Sequence, residues 1–389
     1  MNNIYGVLKD KKCVACGACA GVCPVDAIVV TYNTKDGFYR PVLDTEKCIG
    51  CGKCMKSCPA EHWESSDNMG EFLQIHLAHS TDPKVRHWAT SGGVVNALVQ
   101  YLLDKNYVEG VLMSGYSADS PIEADAFLLT RDTTFELKKH PRNYASRYVV
   151  VPVLAKMKEV KSMKSIAVVG TPCQMLSLKM GGGSHNLDVF KIGITCSGGL
   201  SYKATAEYKR IQNQPSAKMF YRGDGWPGKN SLVTDAGSLD HAHNGSLFEQ
   251  MFSSQIFKNS GCRSCSDHFA EKADISFCDF WNDEERKSEH EGNSCVIIRS
   301  EKAQSIFRQM QQDGYVEVVK ELTERDVVNG QLHVLKVKKG DLRIKRTYNR
   351  FIRMVDFIFE HELYHIFRYR IYRCFCKMYR NMCENSHIK

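Results

Sequence analysis

The chain has 389 residues, 17 of them cysteine, and a formal net charge of +8. That length is too great for a simple ferredoxin and allows two or three domains with a sizeable core. No run reaches the roughly 18 to 20 apolar residues of a membrane-spanning helix, and MNNIYGVLKDKK lacks a signal peptide's pattern, so the thiols are expected to be metal ligands in the reducing cytoplasm rather than disulfides.

The charge is uneven. Residues 1–70 hold eight basic and eight acidic side chains, whereas residues 340–389 hold eleven basic and five acidic ones. The excess sits in the tail, so no nucleic-acid partner is expected for the body of the protein.

The first element is a repeat. CVACGACAGVCP begins at residue 13 and CIGCGKCMKSCP at residue 48. Both have the Cys-x2-Cys-x2-Cys-x3-Cys-Pro spacing of bacterial two-cluster ferredoxins, where the fourth cysteine of each run ligates the other cluster. One quartet is therefore Cys13, Cys16, Cys19 and Cys58; the other is Cys48, Cys51, Cys54 and Cys23. Gly17 and Gly52 let the backbone wrap the sulfurs. Zinc usually takes two separated ligand pairs, which fits these two unbroken runs poorly. Ala27–Val30 reads as a short strand leaving the first loop. Residues 1–66 are expected to form this ferredoxin-like domain, followed by a polar connection near 64–70.

The pattern then changes to that of an α/β domain over 80–335. Ser91-Gly92-Gly93 opens an amphipathic helix, and a strand follows at Val108–Met113. Free N–H groups at such a helix start suit a phosphate, although Ser and Gly also serve as ordinary caps. SIAVVG (165–170) runs into Thr171-Pro172-Cys173, and DVFKIGIT (188–195) runs into Cys196. Ligands of open α/β sheets bind beyond the carboxyl ends of strands. Cys262 and Cys265 follow as a Cys-x2-Cys pair. Together these four thiolates suffice for a third cubane; each alone reads equally as a small buried apolar residue. Spacing leaves both readings open.

Taken in order, SGGVVNAL, Ser146-Arg147-Tyr148, GTPCQ, Cys196-Ser197-Gly198-Gly199, FYRGDGWPG (220–228), CRSC and ADISFCDFW are similar to the blocks of a known family. The chain resembles the coenzyme F420 hydrogenase/dehydrogenase beta-subunit family, in the form with an N-terminal two-cluster ferredoxin domain. The resemblance implies a mixed sheet, a third 4Fe-4S cluster on Cys173, Cys196, Cys262 and Cys265, and a flavin, usually FAD. It places the flavin near Ser91, Gly92 and Gly93, with Ser146, Arg147 and Tyr148 as further contacts. Cys278 stands where the family usually has glycine, and a core position is the preferred reading for it.

These parts suggest an iron–sulfur flavoprotein oxidoreductase. Clusters pass single electrons, most organic partners take pairs, and a flavin handles both. Electrons from ferredoxin or another one-electron carrier would cross three clusters and leave as hydride to a small organic substrate; the reverse direction is physically equal. The rival readings are a non-catalytic relay subunit and an F420-dependent dehydrogenase reducing ferredoxin. Tyr148, His140, Lys229 and Asp279 are the groups that could protonate a substrate, with location as their only support.

The tail, 340–389, repeats apolar residues at helical spacing: Phe351, Val355, Ile358, Phe359, Phe367, Ile371, Phe375 and Met378. A helix or helix pair packed on the protein or a partner subunit is the preferred reading, and a helix lying on an anionic membrane surface the alternative. Cys374, Cys376 and Cys383 lack cluster spacing.

Overall fold

The computed structural model describes residues 3–63, 69–182, 187–339 and 342–384. The expected polar connection near 64–70 falls mostly outside them. Near the N-terminus, β1 (Ile28–Asn33) and β2 (Phe38–Leu43) form an antiparallel pair. The cysteine loops flank it, and both glycine caps, Gly17 and Gly52, adopt the left-handed backbone that the spacing required.

The remaining strands are β3 (Gln74–Ser80), β4 (Gly110–Tyr116), β5 (Ala124–Leu129), β6 (Ser165–Gly170), β7 (Asp188–Ile194), β8 (Lys218–Phe220), β9 (Lys229–Thr234), β10 (Gly237–Ala242), β11 (Ile275–Asp279), β12 (Ser294–Ile298) and β13 (Val316–Glu321). Eight of them make one mixed sheet in the order β13-β3-β12-β11-β7-β6-β4-β5. The four strands β11, β7, β6 and β4 run parallel, and their neighbours on both sides are antiparallel. β8, β9 and β10 form a separate antiparallel sheet.

The parallel centre explains the composition of its strands. β6 is buried along nearly its whole length, as a strand covered on both faces must be. One face is covered by the helix Val94–Asp104, whose Val94, Leu98 and Leu102 are fully buried beside Val111, Val169 and Phe277. Gly92, just before this helix, is forced by contact: a Cβ there would stand 2.7 Å from both Ala78 O and Ser294 N.

The tail forms two helices, Leu342–Glu360 and Tyr364–Glu384. They pack on the protein, burying Phe351, Val355, Ile358, Ile371 and Phe375 among Tyr208, Phe248 and Phe257. Met378 departs from the expected stripe and is exposed, because the buried face continues from Phe375 and Cys376 to Tyr379 instead. Ion pairs pin both helices: Lys11–Glu360, Lys203–Glu362 and His365–Glu207. No described helix is long and apolar enough to cross a membrane.

The buried stripe should dominate the tail's stability. Phe375→Ala should cost about 3–5 kcal/mol, whereas Phe357→Ala, at an exposed position, should stay within about 0.5 kcal/mol. Denaturant unfolding of the two variants checks the difference.

Candidate functional site

The site begins at the carboxyl ends of three adjacent strands. β6 ends at Gly170, β7 at Ile194 and β11 at Asp279. Cys173 follows the first by one helical turn, in the helix Pro172–Lys179, whose start is fixed by a capping box between Thr171 and Gln174. Cys196 follows the second. Cys262 and Cys265 come from the short turn Ser260–Ser264.

These four cysteines converge. Cys173 is pushed well up by burial, then by the neighbouring thiols of Cys16, Cys262 and Cys196. Burial also raises Cys262, with Cys196 beside it, and Cys265, with Cys262 beside it. The Thr171 hydroxyl lies 3.1 Å from Cys173 Sγ, and the Gly199 N–H donates to Cys262 Sγ at 3.5 Å. Segments far apart in sequence thus supply one set of soft donors.

The N-terminal cysteines lie close together. Cys13, Cys16, Cys19 and Cys58 line one small apolar cavity with Ile4, Val7 and Val14. Burial raises Cys16 and Cys19, and holds Cys58 near 12. Cys54 and Cys23 are buried together, Cys48 is half-buried and Cys51 is exposed. Among the described residues, no three His, Cys, Asp or Glu side chains close tightly on a single ion. A zinc ion would need thiolates about 2.3 Å from its centre, whereas the cubane is a wider body to grip. Crowded thiols that raise one another in apolar surroundings fit a group that brings its own positive iron.

The two modules touch through backbone. The Ser260 hydroxyl donates to Lys11 O at 2.7 Å, and the Ser177 hydroxyl donates to Ser57 O at 2.8 Å. Gly261 sits against the first loop so closely that a Cβ would stand 2.3 Å from Lys12 O and 2.7 Å from Cys13 O. Cys16 and Cys173 are neighbours across this seam.

A cleft of about 1190 Å³ opens on the other side of the central quartet. Drug-sized ligands occupy roughly 300–1,000 Å³, so the volume suits a dinucleotide-sized group. Ser91, Gly93, Ser146, Arg147 and Tyr148 line it, as do Cys196 and Gly199. Gly92 does not: its N–H already donates to Ser294 Oγ at 3.0 Å. Gly93 caps the helix in the left-handed conformation.

The cleft wall carries both signs of charge: Arg147, Arg222, Arg286 and Arg380 stand with Glu249, Asp279, Asp283, Glu284 and Asp326. The Arg147 guanidinium lies over Tyr116 and Phe220, and burial pulls it down to about 10. Arg222, 2% exposed, donates to Thr90 O and to both Asp279 oxygens. The Nε atoms of Arg147 and Arg222 are buried without a partner. Of the four proposed proton donors, Tyr148 and Asp279 reach the cleft. His140 is exposed elsewhere, and Lys229 is paired with Asp224.

Two residues, Arg222 and Lys338, escaped the sequence. Arg222 lies inside the FYRGDGWPG block, but nothing there announced its pairing with Asp279. Cys278 faces Cys295 across β11 and β12, both buried, with Cys278 also on the cleft wall. Lys338, in the helix Glu324–Lys339, reaches Cys265. Burial works against its charge, but Cys265, Cys196 and Asp267 outweigh it and raise its pKa.

The two family profiles described as coenzyme F420 hydrogenase/dehydrogenase beta subunit, N-terminal and C-terminal parts, match residues 75–158 and 163–324. The chain belongs to this family. A 4Fe-4S dicluster profile matches residues 12–62 and a second matches 40–97, so the family's body is preceded by an iron–sulfur module. The coenzyme F420 hydrogenase subunit beta of Methanothermobacter thermautotrophicus is 25% identical over 259 residues, covering 64% of this chain and 85% of that protein. The F420-dependent formate dehydrogenase 1 subunit beta of Methanococcus maripaludis is 23% identical over 248 residues, covering 62% of this chain and 60% of that one. A chain of the F420-reducing NiFe hydrogenase complex from Methanosarcina barkeri shares the fold, with a TM-score of 0.54 and 20% identity over 73% of this chain and 94% of that chain.

Gly261→Ala should wedge the seam between the first cysteine loop and the central turn. We expect a loss of about 1–3 kcal/mol, read as a lowered unfolding midpoint of the anaerobic holoprotein.

Proposed function

We propose that this family member is an iron–sulfur flavoprotein oxidoreductase. It passes electrons between a one-electron carrier, such as ferredoxin, and an organic two-electron partner. One observation supports this most: Arg147, Tyr148 and Cys196 share a single cleft, so the proposed flavin contacts and a proposed cluster ligand stand on the same walls. In this reading residues 1–66 hold two 4Fe-4S clusters, residues 80–335 hold a third and FAD, and residues 340–389 form the basic tail.

The flavin would supply the change between single electrons and a hydride, and the clusters the one-electron steps. The chain's residues hold and insulate them. Cys13, Cys16, Cys19 and Cys58 grip the cluster nearest the seam, and Cys48, Cys51, Cys54 and Cys23 the outer one. Cys51 and its exposed neighbour Ile49 suit the outer cluster to exchange with a carrier. Across the seam, Cys173, Cys196, Cys262 and Cys265 hold the third. Ser91, Gly93 and Ser146 border the flavin, with Arg147 and Tyr148 as its further contacts on the same wall. Arg222 and the Trp226 indole N–H, at 3.3 Å, hold the Asp279 carboxylate in one orientation.

The names of the relatives favour coenzyme F420 as the organic partner and subunits of a larger complex as neighbours. That leaves the relay-subunit reading as the alternative. The exposed Met354, Phe357 and Ile366 of the tail are the place for contact with a partner subunit or a membrane surface. We assign the protein to the cytoplasm.

Anaerobic purification should give about twelve iron atoms and one flavin per chain. Cys262→Ala should remove about four of the twelve irons and leave the N-terminal pair, while Arg147→Ala should lower flavin content at unchanged iron. Eight irons and no flavin would refute the reading. Hydride exchange by the isolated chain, assayed with reduced F420 and a one-electron acceptor, separates the enzyme from the relay.

A further inference from the structure

Lys338 lies beyond residue 324, where the family match ends. It is 9% exposed. Its Nζ donates to Cys265 Sγ at 3.2 Å and to the Asp267 carbonyl at 2.6 Å. A buried lysine is normally neutralised by a hydrogen-bonded carboxylate. Here the acceptors are a sulfur and a neutral carbonyl, and the Asp267 carboxylate adds attraction without a hydrogen bond.

The placement is enforced rather than incidental. Gly330 of the same helix packs so closely that a Cβ would stand 2.6 Å from Trp281 O. Gln331 donates to Asp279 O at 3.2 Å, and its Oε1 lies 3.2 Å from His268, whose other ring nitrogen lies 3.0 Å from Cys196 O. The helix is therefore fastened to the backbone of a second cysteine of the quartet. The N-terminal quartets have no such partner among the described residues. Their sulfurs take neutral donors, Asn3 Nδ2 to Cys48 at 4.0 Å and the Ala27 N–H to Cys23 at 3.3 Å.

Net charge and hydrogen bonds to sulfur set cluster potentials. Reduction adds one negative charge to a group that four thiolates already make anionic. A cation held on one of those sulfurs favours the reduced form. We propose that Lys338, acting through Cys265 as a positioning residue, raises the reduction potential of the central cluster, so that an electron settles beside the cleft rather than in the N-terminal module. The proposal rests on the three-cluster reading.

The test is an anaerobic redox titration of the holoprotein, with each cluster followed by electron paramagnetic resonance. At the potential where the wild-type central cluster is half reduced, Lys338→Met should show at least a tenfold lower reduced-to-oxidised ratio, a shift of about 59 mV for one electron. Lys338→Arg should recover most of it. An unchanged potential in Lys338→Met, with iron content intact, overturns the proposal. If that variant loses central iron, Lys338→Gln keeps an N–H donor without the charge, and a wild-type potential there overturns it equally. Loss of central iron in all three variants, arginine included, also overturns it, since the role would then be shape. Wild-type protein with only about eight irons would instead refute the central cluster itself, a result read before any variant is made.

Discussion

The rest of the structure depends on thiols crowded where thiols alone are unwelcome. Cys173, Cys196, Cys262 and Cys265 stand together beyond three neighbouring strands, and burial raises every one of them. Soft anionic donors in apolar surroundings need a positive centre. Around them the chain arranges a seam to the N-terminal module and a large cleft with Cys196 in its wall.

The seam shows how closely that arrangement is set. Backbone meets backbone at Gly261, and likewise at Gly17 and Gly21, where added Cβ atoms would collide with Pro152 O and Leu154 O. A Cβ at any of these glycines would hold the modules farther apart, and without one Cys16 stands beside Cys173.

The C-terminal helices acquire a role in the same terms. Asp356 pairs with Arg263, which lies inside the Cys262–Cys265 turn, and Lys338 bonds Cys265 itself. Elements outside the matched family segments thus buttress the central quartet from behind. The apolar stripe of the tail is a core face, buried among Tyr208, Phe248 and Phe257, and the first tail helix carries Asp356.

The sequence by itself determined what depends on short-range spacing. The two ferredoxin-type runs, β6 with its trailing cysteine, β7 with its own, and the helix after Gly93 were all legible, because local periodicity and ligand spacing act within a dozen residues. The placement of Cys173 and Cys196 beyond the ends of β6 and β7 was legible because parallel strands present their carboxyl ends together. Only the tertiary structure decided the rest. The adjacency of β11 to β7, the pairing of Arg222 with Asp279 over 57 residues, the withdrawal of Gly92 from the cleft and the reach of Lys338 to Cys265 over 73 residues all join distant segments. No spacing encodes such contacts; the shared burial of a charge and its partner selects them once the sheet has formed.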